Sequence, residues 1–420
     1  MILALLFKGL CDLAYFHFVS PRFGYSGLTL TPDEGKILLG YLATAALSLA
    51  LPARQTRPSH LFGMLLMYTV FIPSMTSFGM EGHDTTFAMM IGVSVAIVLL
   101  IPRFIPRFAM PLAPLSSQSI DLFLWGAVGF VAAVFIFGGG LSFVNFDIMN
   151  VYETRHVVNE KFFTGPLGYL TNWGLRIGLP SLIAIYLLRK NKIMVAILLA
   201  LNIFFFSISS SKAQLFLPFL IVILAVIGDR KSGTQMLALA LCVFVGASML
   251  ETLFWNTTTL NDIAVRRGLF VPADLNYAFH DVFTRLGHVR LSNSVLGFLF
   301  EYPFDIKPIK LVAREYFGHT DISPNNGFIA TSYMHFGYGG MVAFAVIVGV
   351  LLWTVDSLSL LGRLPNWFAV GVLLLPMLSL FNSSDLPNAL LTHGAGPAIL
   401  LLWLIASASL RRLHAAGMVK

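Results

Sequence analysis

The chain has 420 residues, of which 57% are hydrophobic and only 11% are charged, and its formal net charge is +7. Soluble domains carry about 25% charged residues. Because so few charges cannot cover a water-facing surface, the composition excludes a soluble enzyme and predicts an all-α protein that crosses a membrane several times. The positive charge then concerns topology and anionic ligands, and we expect no nucleic acid as a partner.

Apolar segments follow one another along the chain, and most are long enough to cross a bilayer as a helix. We predict about twelve transmembrane helices in a single integral membrane domain that covers residues 1–420. The spans lie near 2–20, 35–53, 59–79, 85–102, 120–138, 166–188, 193–210, 212–228, 234–254, 327–354, 365–382 and 388–410. The connection at 255–326 is far longer than the others, and we expect it to carry short helices outside the membrane.

Lysine and arginine are distributed unevenly between the two sides, which predicts the orientation. With a cytoplasmic N-terminus, the inner side holds Arg54, Arg57, Arg103, Arg107, Arg189, Lys190, Lys192, Arg230, Lys231, Arg363, Arg411, Arg412 and Lys420. The short outer loops hold only Arg22, Lys36, Arg155, Lys161 and Lys212. We therefore place both termini in the cytoplasm, and residues 139–165 and 255–326 outside.

Motifs for nucleotide or metal chemistry are missing from the sequence. The stretch FGGG at 137–140 lacks the lysine and the spacing of a phosphate-binding loop. No two aspartates are adjacent or one residue apart, and no histidine or cysteine cluster has zinc spacing. We therefore expect no metal and no cofactor, and an activity that survives EDTA.

Arg176 is a charge deep within a predicted span. It lies about ten residues into that span, which corresponds to a depth of about 15 Å. An arginine there costs at least ~2.5 kcal/mol unless it faces a polar cavity or a partner, and Pro180 weakens the helix beside it. We predict that Arg176 faces an anionic ligand. Lys8 and Asp12, one helical turn apart, are instead predicted to neutralise each other.

The long outer loop concentrates arginine, histidine and carboxylate side chains. A solvated connection would also be polar, so composition alone does not make it a site. Arginine, however, suits a pyrophosphate group, because its planar fork stays charged and donates two hydrogen bonds at once. Arginines on the outer side, with one more at depth, predict a lipid-linked phosphate that is reached from outside. A transporter of free anions would also fit these charges.

Three stretches resemble the O-antigen polymerases of bacteria, the Wzy-type polymerases of oligosaccharide repeat units. RRGLFVPADLNYAFHDVF at 266–283 resembles the pattern in the long outer loop of that family. NNGFIATSYMHFGYGGM at 325–341 is similar to the stretch that re-enters the membrane, and YETRHVVNEKFFTGPLGYLTNWGLR at 152–176 to the preceding outer loop and helix. The resemblance covers the C-terminal two-thirds of the chain in pieces.

The resemblance implies a GT-C-like, metal-independent glycosyltransferase of the bacterial inner membrane. It would join glycans carried on undecaprenyl pyrophosphate at the periplasmic face, among membrane lipids and with a chain-length regulator as a further partner. The arginines that match are Arg155, Arg176, Arg266, Arg267 and Arg285, to which we add Arg290; Arg267 is assigned to the leaving group. Tyr277 is assigned to stacking on a sugar, and Asp281 or His280 to removing the acceptor proton. Alternative bases are Glu153, Glu301, Asp321 and His335.

Two other functions remain open at this point. An O-antigen ligase shares the architecture, and its resemblance favours a loop histidine as the base, here His280, His288 or His319. A flippase or secondary transporter of lipid-linked oligosaccharides would instead predict two related halves and charges in several spans. The sequence shows no repeat and few charges within the spans.

Overall fold

The computed structural model describes residues 1–52, 54–147, 151–228, 230, 232–294 and 296–418, and of residues 151–154, 156, 263 and 264 the backbone alone. Within these ranges every regular element is a helix, so the all-α prediction is confirmed. The side chain of Glu153, one of the alternative bases, lies outside the described residues, as do Lys231 and Lys420 of the inner side.

Ten helices cover the first part of the chain. They are α1 (Ile2–Ser26), α2 (Glu34–Ser48), α3 (Pro58–Met80), α4 (Thr85–Phe104), α5 (Ser117–Phe137), α6 (Val151–Phe162), α7 (165–188), α8 (Lys192–Ser209), α9 (Lys212–Ile227) and α10 (Gly233–Trp255). The others are α11 (261–286), α12 (Pro308–Phe317), α13 (Phe328–Leu361), α14 (Asn366–Asn382), α15 (Leu386–Leu390) and α16 (Ala395–Ala415). Residues 255–326 thus carry helices α11 and α12, of which α11 is longer than the short helices predicted there; their position outside the membrane stays a prediction.

Helices long and apolar enough to span a membrane number eight among the described residues. They are α1, α3, α4, α5, α8, α10, α13 and the pair α15–α16, while α9 and α14 are apolar but shorter. The two other predicted spans coincide with α2, which has only 15 residues, and with α7, which contains Arg176. A polytopic membrane protein is confirmed, and twelve crossings stay a prediction.

Polar side chains define where several helices begin. Asp33 and Asp84 accept hydrogen bonds from the amides of Lys36 and Phe87, at 3.0 and 2.7 Å. Such caps satisfy amides that have no partner within the helix, and each stabilises a helix by about 1 kcal/mol. Asp33 and Asp84 cap the outer ends of α2 and α4, and so fix the turn between α3 and α4 on that side.

In the part of the chain that the structure describes, four helices contain a widened turn with hydrogen bonds to the fifth residue back, and each turn ends two residues before a proline. The amide preceding the proline closes each turn, in the pairs Ser20–Tyr15, Ile72–Met67, Leu179–Gly174 and Val271–Arg266. A proline has no amide hydrogen and its ring collides with the carbonyl four residues earlier. The widened turn accommodates that ring, and two of these turns carry Arg176 and the pair Arg266–Arg267.

Helix α13 is bent near its first residues, at the end of the bundle that we predict to be outside. It packs along α4 over much of its length, but Phe336 and Gly337 have non-helical backbone angles. Gly337 has a φ of 63°, and a Cβ there would lie 3.0 Å from Nε2 of His288. The bend places His335 at the boundary between the span and the outer segments.

Within the first span, Lys8 and Asp12 form the predicted ion pair. The Lys8 ammonium lies 2.5 Å from one carboxylate oxygen, and Thr76 donates a hydrogen bond to the same group at 2.8 Å. Both side chains are buried. Because each charge has its partner, this pair is a structural feature of the bundle, as we expected.

The outer segments pack against each other at one end of the bundle. Tyr277 of α11 donates to the backbone oxygen of Ser74 in α3 at 2.8 Å, and Asn326 donates to that of Pro272 at 3.2 Å. At the opposite end, Ser59 donates to Asp356 at 2.6 Å. These contacts distinguish two ends of the bundle; which of them faces the outside stays a prediction.

Reporter fusions test the orientation. We expect fusions within 139–165 and 255–326 to report an extracytoplasmic position, and fusions after Lys190 and Arg230 to report a cytoplasmic one. The physical reason is the excess of lysine and arginine on the inner connections. Paired phosphatase and fluorescent-protein fusions at each site are the measurement. A cytoplasmic signal from a fusion at Asp281 would overturn the site described below.

Candidate functional site

An open cavity of about 1080 Å³ at the outer end contains three of the predicted arginines, and we call it the arginine pocket. Arg155 comes from α6, and Arg266 and Arg267 come from the widened first part of α11. The rest of the wall comes from the end of α1, from Asp274 and its neighbours in α11, and from the segment around α12, which supplies Tyr316, His319 and Asn325. Folding thus brings cationic side chains from distant parts of the sequence into one cavity.

Asp262 orients the two arginines of α11. Arg266 lies one turn from Asp262 and 2.5 Å from its carboxylate, and its guanidinium also stacks over the ring of Phe23 at 4.4 Å. Arg267 is 3.7 Å from the other oxygen of Asp262, and 43% of its side chain is exposed. Two cations share one carboxylate, so the pocket keeps a net positive charge, and Arg267 is the more accessible of the pair.

Arg176 has a neutral partner inside the bundle. Its guanidinium donates to the hydroxyl of Ser379 in α14 at 2.9 Å. Arg155 exerts a like-charge repulsion on it, and Arg176 in turn acts electrostatically on His393. Its described hydrogen-bond partner is thus a hydroxyl and not a carboxylate. Arg176 is not among the residues that line the arginine pocket, so its contact with an anion stays a prediction.

A second cavity of about 310 Å³ adjoins the first, since Asn325 lines both. We call it the carboxylate pocket because Asp385 lies in its wall, together with Asn326, Asn388 and His393. One Asp385 oxygen accepts from Nε2 of His335 at 2.9 Å. Nδ1 of that ring accepts from the amide of Leu291 at 3.0 Å, so the ring proton is on Nε2.

The second oxygen of Asp385 is buried and has no hydrogen-bond partner among the described residues. Unsatisfied buried oxygens are uncommon, and they often mark a functional site. A carboxylate fixed by a neutral imidazole, with one oxygen left over, is arranged to accept a proton. His335 is fully buried, so it would act through Asp385 and not directly on a ligand.

Sequence reasoning missed Asp385 altogether. It named His335 as an alternative base but gave Asp385 no role, because the two residues are 50 positions apart in the sequence. The signal that was present is an acidic residue in NSSDLPN, directly where two predicted spans meet on the outer side. Acidic residues at such positions are costly to bury and are therefore informative.

The predicted role of Tyr277 is wrong for the described conformation. The side chain is 2% exposed, its hydroxyl is bonded to Ser74, and its ring stacks on the imidazole of His83 at 4.0 Å. A buried tyrosine whose ring is stacked on a histidine and whose hydroxyl is hydrogen-bonded to the backbone cannot also stack on a sugar. Tyr277 instead anchors α11 to the membrane-spanning helices.

The other predicted residues of α11 lie outside both pockets. Asp281 and Arg285 form an exposed ion pair at 3.2 Å, which typically stabilises a protein by under 1 kcal/mol. His280 stacks on Phe87 and shares a hydrogen bond with Tyr338 at 3.2 Å, and burial lowers its pKa. Asp281 lies about two helical turns, or about 10 Å, beyond Asp274 in the arginine pocket. The structure does not bring these side chains to the arginines.

The remaining candidates are exposed or peripheral. Arg290 is exposed in a left-handed turn with a φ of 55°, and Glu301 and Asp321 are exposed in the outer loop. Among the histidines considered for a ligase, His319 lines the arginine pocket, whereas His288 lies beside Gly337. The arginine pocket thus retains Arg155, Arg266 and Arg267 from the predicted set.

Three side chains that could each offer one ligand atom to a metal ion meet beside the arginine pocket. Glu81 and His83, in the turn between α3 and α4, approach Asp274 of α11, so that one donor atom of each lies within 4.8 Å of the others. The search for acidic pairs close in sequence could not find this set, because Asp274 comes from a distant segment.

Comparison with known proteins does not name a family. No protein-family model, no curated protein and no solved structure matches this chain.

Proposed function

We propose that this protein is a membrane-embedded glycosyltransferase that polymerises oligosaccharide units carried on undecaprenyl pyrophosphate. The observation that carries the proposal is the outer cavity in which Arg155, Arg266 and Arg267 meet, joined at Asn325 to a pocket with a partly unsatisfied buried carboxylate. The polymerase resemblance of residues 152–176, 266–283 and 325–341 supports it, since these stretches contain Arg155, Arg266, Arg267 and Asn325.

The arginine pocket would bind the pyrophosphate of the donor. Charge develops on that group as the bond to the sugar breaks, and arginines in place before the reaction stabilise it without reorganisation. A guanidinium also forms two parallel hydrogen bonds with phosphate oxygens. Arg267, the more exposed of the two α11 arginines, would contact the leaving group, while Arg176 would attract the anion from below.

Asp385 would serve as the general base. In the proposed step an acceptor hydroxyl attacks the anomeric carbon, its proton passes to the free oxygen of Asp385, and the bond between that carbon and the phosphate oxygen breaks. Undecaprenyl pyrophosphate leaves with the electron pair of that bond. The Nε2–H of His335 would hold the carboxylate in place during the transfer. This assignment replaces Asp281 and His280, which lie away from the arginines.

The proposal includes the finer features implied by the resemblance. These are twelve crossings in a GT-C-like arrangement, cytoplasmic termini in a bacterial inner membrane, and a periplasmic site at which a chain-length regulator would act. The clustering of outer segments over the cavity supports a site on that side.

Reconstitution tests the proposed function. The purified chain, in phosphatidylcholine vesicles with lipid-linked repeat units supplied from outside, is expected to produce a ladder of longer glycans on a gel. Transfer of units only to an added lipid acceptor would instead identify a ligase. Movement of labelled units across the bilayer without new glycosidic bonds would identify a transporter and contradict the proposal.

A further inference from the structure

Two carboxylates and an imidazole lie side by side where α11 meets the turn between α3 and α4. Glu81 and His83 belong to that turn, and Asp274 belongs to the regular α-helical part of α11, which begins at Val271. Glu81 and Asp274 are 9% and 2% exposed, whereas 17% of the His83 side chain is exposed. One oxygen of Glu81 is 3.5 Å from Nε2 of His83. Asp274 also lines the arginine pocket. The set therefore adjoins a cavity that is open to solvent, through Asp274.

In the described part of the chain, Glu81 and His83 lack hydrogen-bond partners that buried polar atoms need. Among the residues that the structure describes, the other oxygen of Glu81 and Nε2 of His83 have no hydrogen-bond partner, although only 1% of the Glu81 side chain is exposed. The hydroxyl of Tyr15 is close enough to Glu81 to interact with it. Its hydrogen, however, is donated to the backbone oxygen of Thr29 at 2.9 Å. Two adjacent carboxylates without a cation are unfavourable, so this arrangement calls for a positive ligand or a shared proton.

Nearby cations are engaged elsewhere. Lys36 donates to the backbone oxygens of Gly82 and His83, at 2.6 and 2.9 Å, and Arg266 pairs with Asp262. Lys36 thus fixes the backbone of the turn that carries Glu81 and His83. It does not neutralise the side-chain atoms of these two residues.

Further contacts orient the donors as metal ligands are oriented in proteins. The imidazole of His83 lies parallel to the ring of Tyr277, and Tyr316 donates a hydrogen bond to one oxygen of Asp274 at 3.2 Å. Ligands about 2.0–2.2 Å from one ion lie roughly 3–4 Å from each other. Donor atoms within 4.8 Å of one another therefore need only small side-chain rotations to meet at one ion.

We propose that Glu81, His83 and Asp274 form a binding site for a divalent transition-metal ion beside the arginine pocket, which Asp274 also lines. One imidazole nitrogen and two carboxylate oxygens suit Mn²⁺ or Zn²⁺, whereas Mg²⁺ and Ca²⁺ prefer oxygen ligands alone. Three protein ligands leave at least one position for water or an anion. The proposal stands on residues other than those of the glycosyltransferase proposal and does not depend on it.

Direct Mn²⁺ binding tests this site. The full chain is purified in nanodiscs of phosphatidylcholine, treated with EDTA, dialysed, and titrated with Mn²⁺ while free Mn²⁺ is followed by electron paramagnetic resonance. We expect saturable binding to the wild type, weakened about ten-fold or more by Glu81→Gln or Asp274→Asn. Glu34→Gln, the same change at an exposed carboxylate near the outer end of α2, should bind like the wild type.

Thermal unfolding of the same samples separates lost binding from misfolding. Without metal, Glu81→Gln and Asp274→Asn should unfold no earlier than the wild type, because each removes a buried repulsion. Mn²⁺ should raise the unfolding temperature of the wild type and of Glu34→Gln, but not of the two site variants. Equal binding and equal stabilisation in all four proteins, or no saturable binding to the wild type, would overturn the proposal.

Discussion

Replacing Asp385 with Asn is expected to reduce polymer synthesis by about 10²- to 10⁴-fold, the usual contribution of a general base. The change keeps the size of the side chain and the hydrogen bond with His335, but removes the basic oxygen that has no partner in the carboxylate pocket. The measurement is the initial rate of ladder formation by the reconstituted protein. Because the lost group acts only on the proton of the acceptor, donor binding should change little.

Asp356→Asn is the matched control. Asp356 is also a buried aspartate, 1% exposed, but it lies at the opposite end of the bundle, where it accepts hydrogen bonds from the amide and hydroxyl of Ser59. Its replacement should lower stability without lowering turnover per folded molecule. If Asp385→Asn synthesises polymer at the wild-type rate, Asp385 is a structural partner of His335 and the assignment of the base is wrong.

Removing the Arg267 side chain should lower turnover about ten- to hundred-fold. A charge-assisted hydrogen bond contributes roughly 1.5–3 kcal/mol, and each 1.4 kcal/mol is a factor of about ten in rate. The contact strengthens as the leaving group gains charge, so the loss in Arg267→Ala should appear mainly in kcat. Arg267→Lys keeps the charge but lacks the planar fork, and should recover only part of the rate.

Arg314→Ala controls for the general loss of an outer arginine. Its side chain is 42% exposed, close to the value for Arg267, but it pairs with Asp305 and Glu315 away from the pocket. We expect full ladders from this variant. Wild-type ladders from Arg267→Ala at a normal level in the membrane would show that the arginine pocket does not bind the leaving group.

Arg266→Ala should also reduce the ladder, but for two reasons at once. The guanidinium lines the pocket, and it also holds Asp262 and stacks on Phe23. Its loss would release Asp262 to pair more closely with Arg267 and so lower the positive charge of the pocket. The membrane level of Arg266→Ala must therefore be compared with that of Arg267→Ala before the two rates are compared.

Much of the architecture could be predicted because it depends on local composition. A run of about 20 apolar residues must form a helix in lipid, since the bilayer offers no partners for backbone polar groups. The ion pair of Lys8 and Asp12 was predictable for a similar reason, as residues four apart share one face of a helix. The widened turns depend on more than the prolines that follow them, because Pro102, Pro218 and Pro376 lie inside helices without such a turn.

The arginine pocket was predictable only in part. The sequence by itself determined that Arg155, Arg176, Arg266 and Arg267 are cations near the outer side, and this depends on charge and order along the chain. It could not determine which side chains are buried. Tyr277 and Asp281 lie four residues apart on one helix, yet one packs against Ser74 and His83 and the other is exposed, because exposure depends on which neighbours cover each part of α11.

Only the tertiary structure decided the partners of Asp385 and of Asp274. Asp385 meets His335 across two helices, and Asp274 meets Glu81 and His83 across a large separation in the chain. Such pairs form when helices that are each stable in lipid pack at particular angles, and that packing is set by many small side-chain contacts between non-adjacent segments. No local pattern encodes it, which is why a search for closely spaced acidic residues found neither the carboxylate pocket nor the proposed metal site.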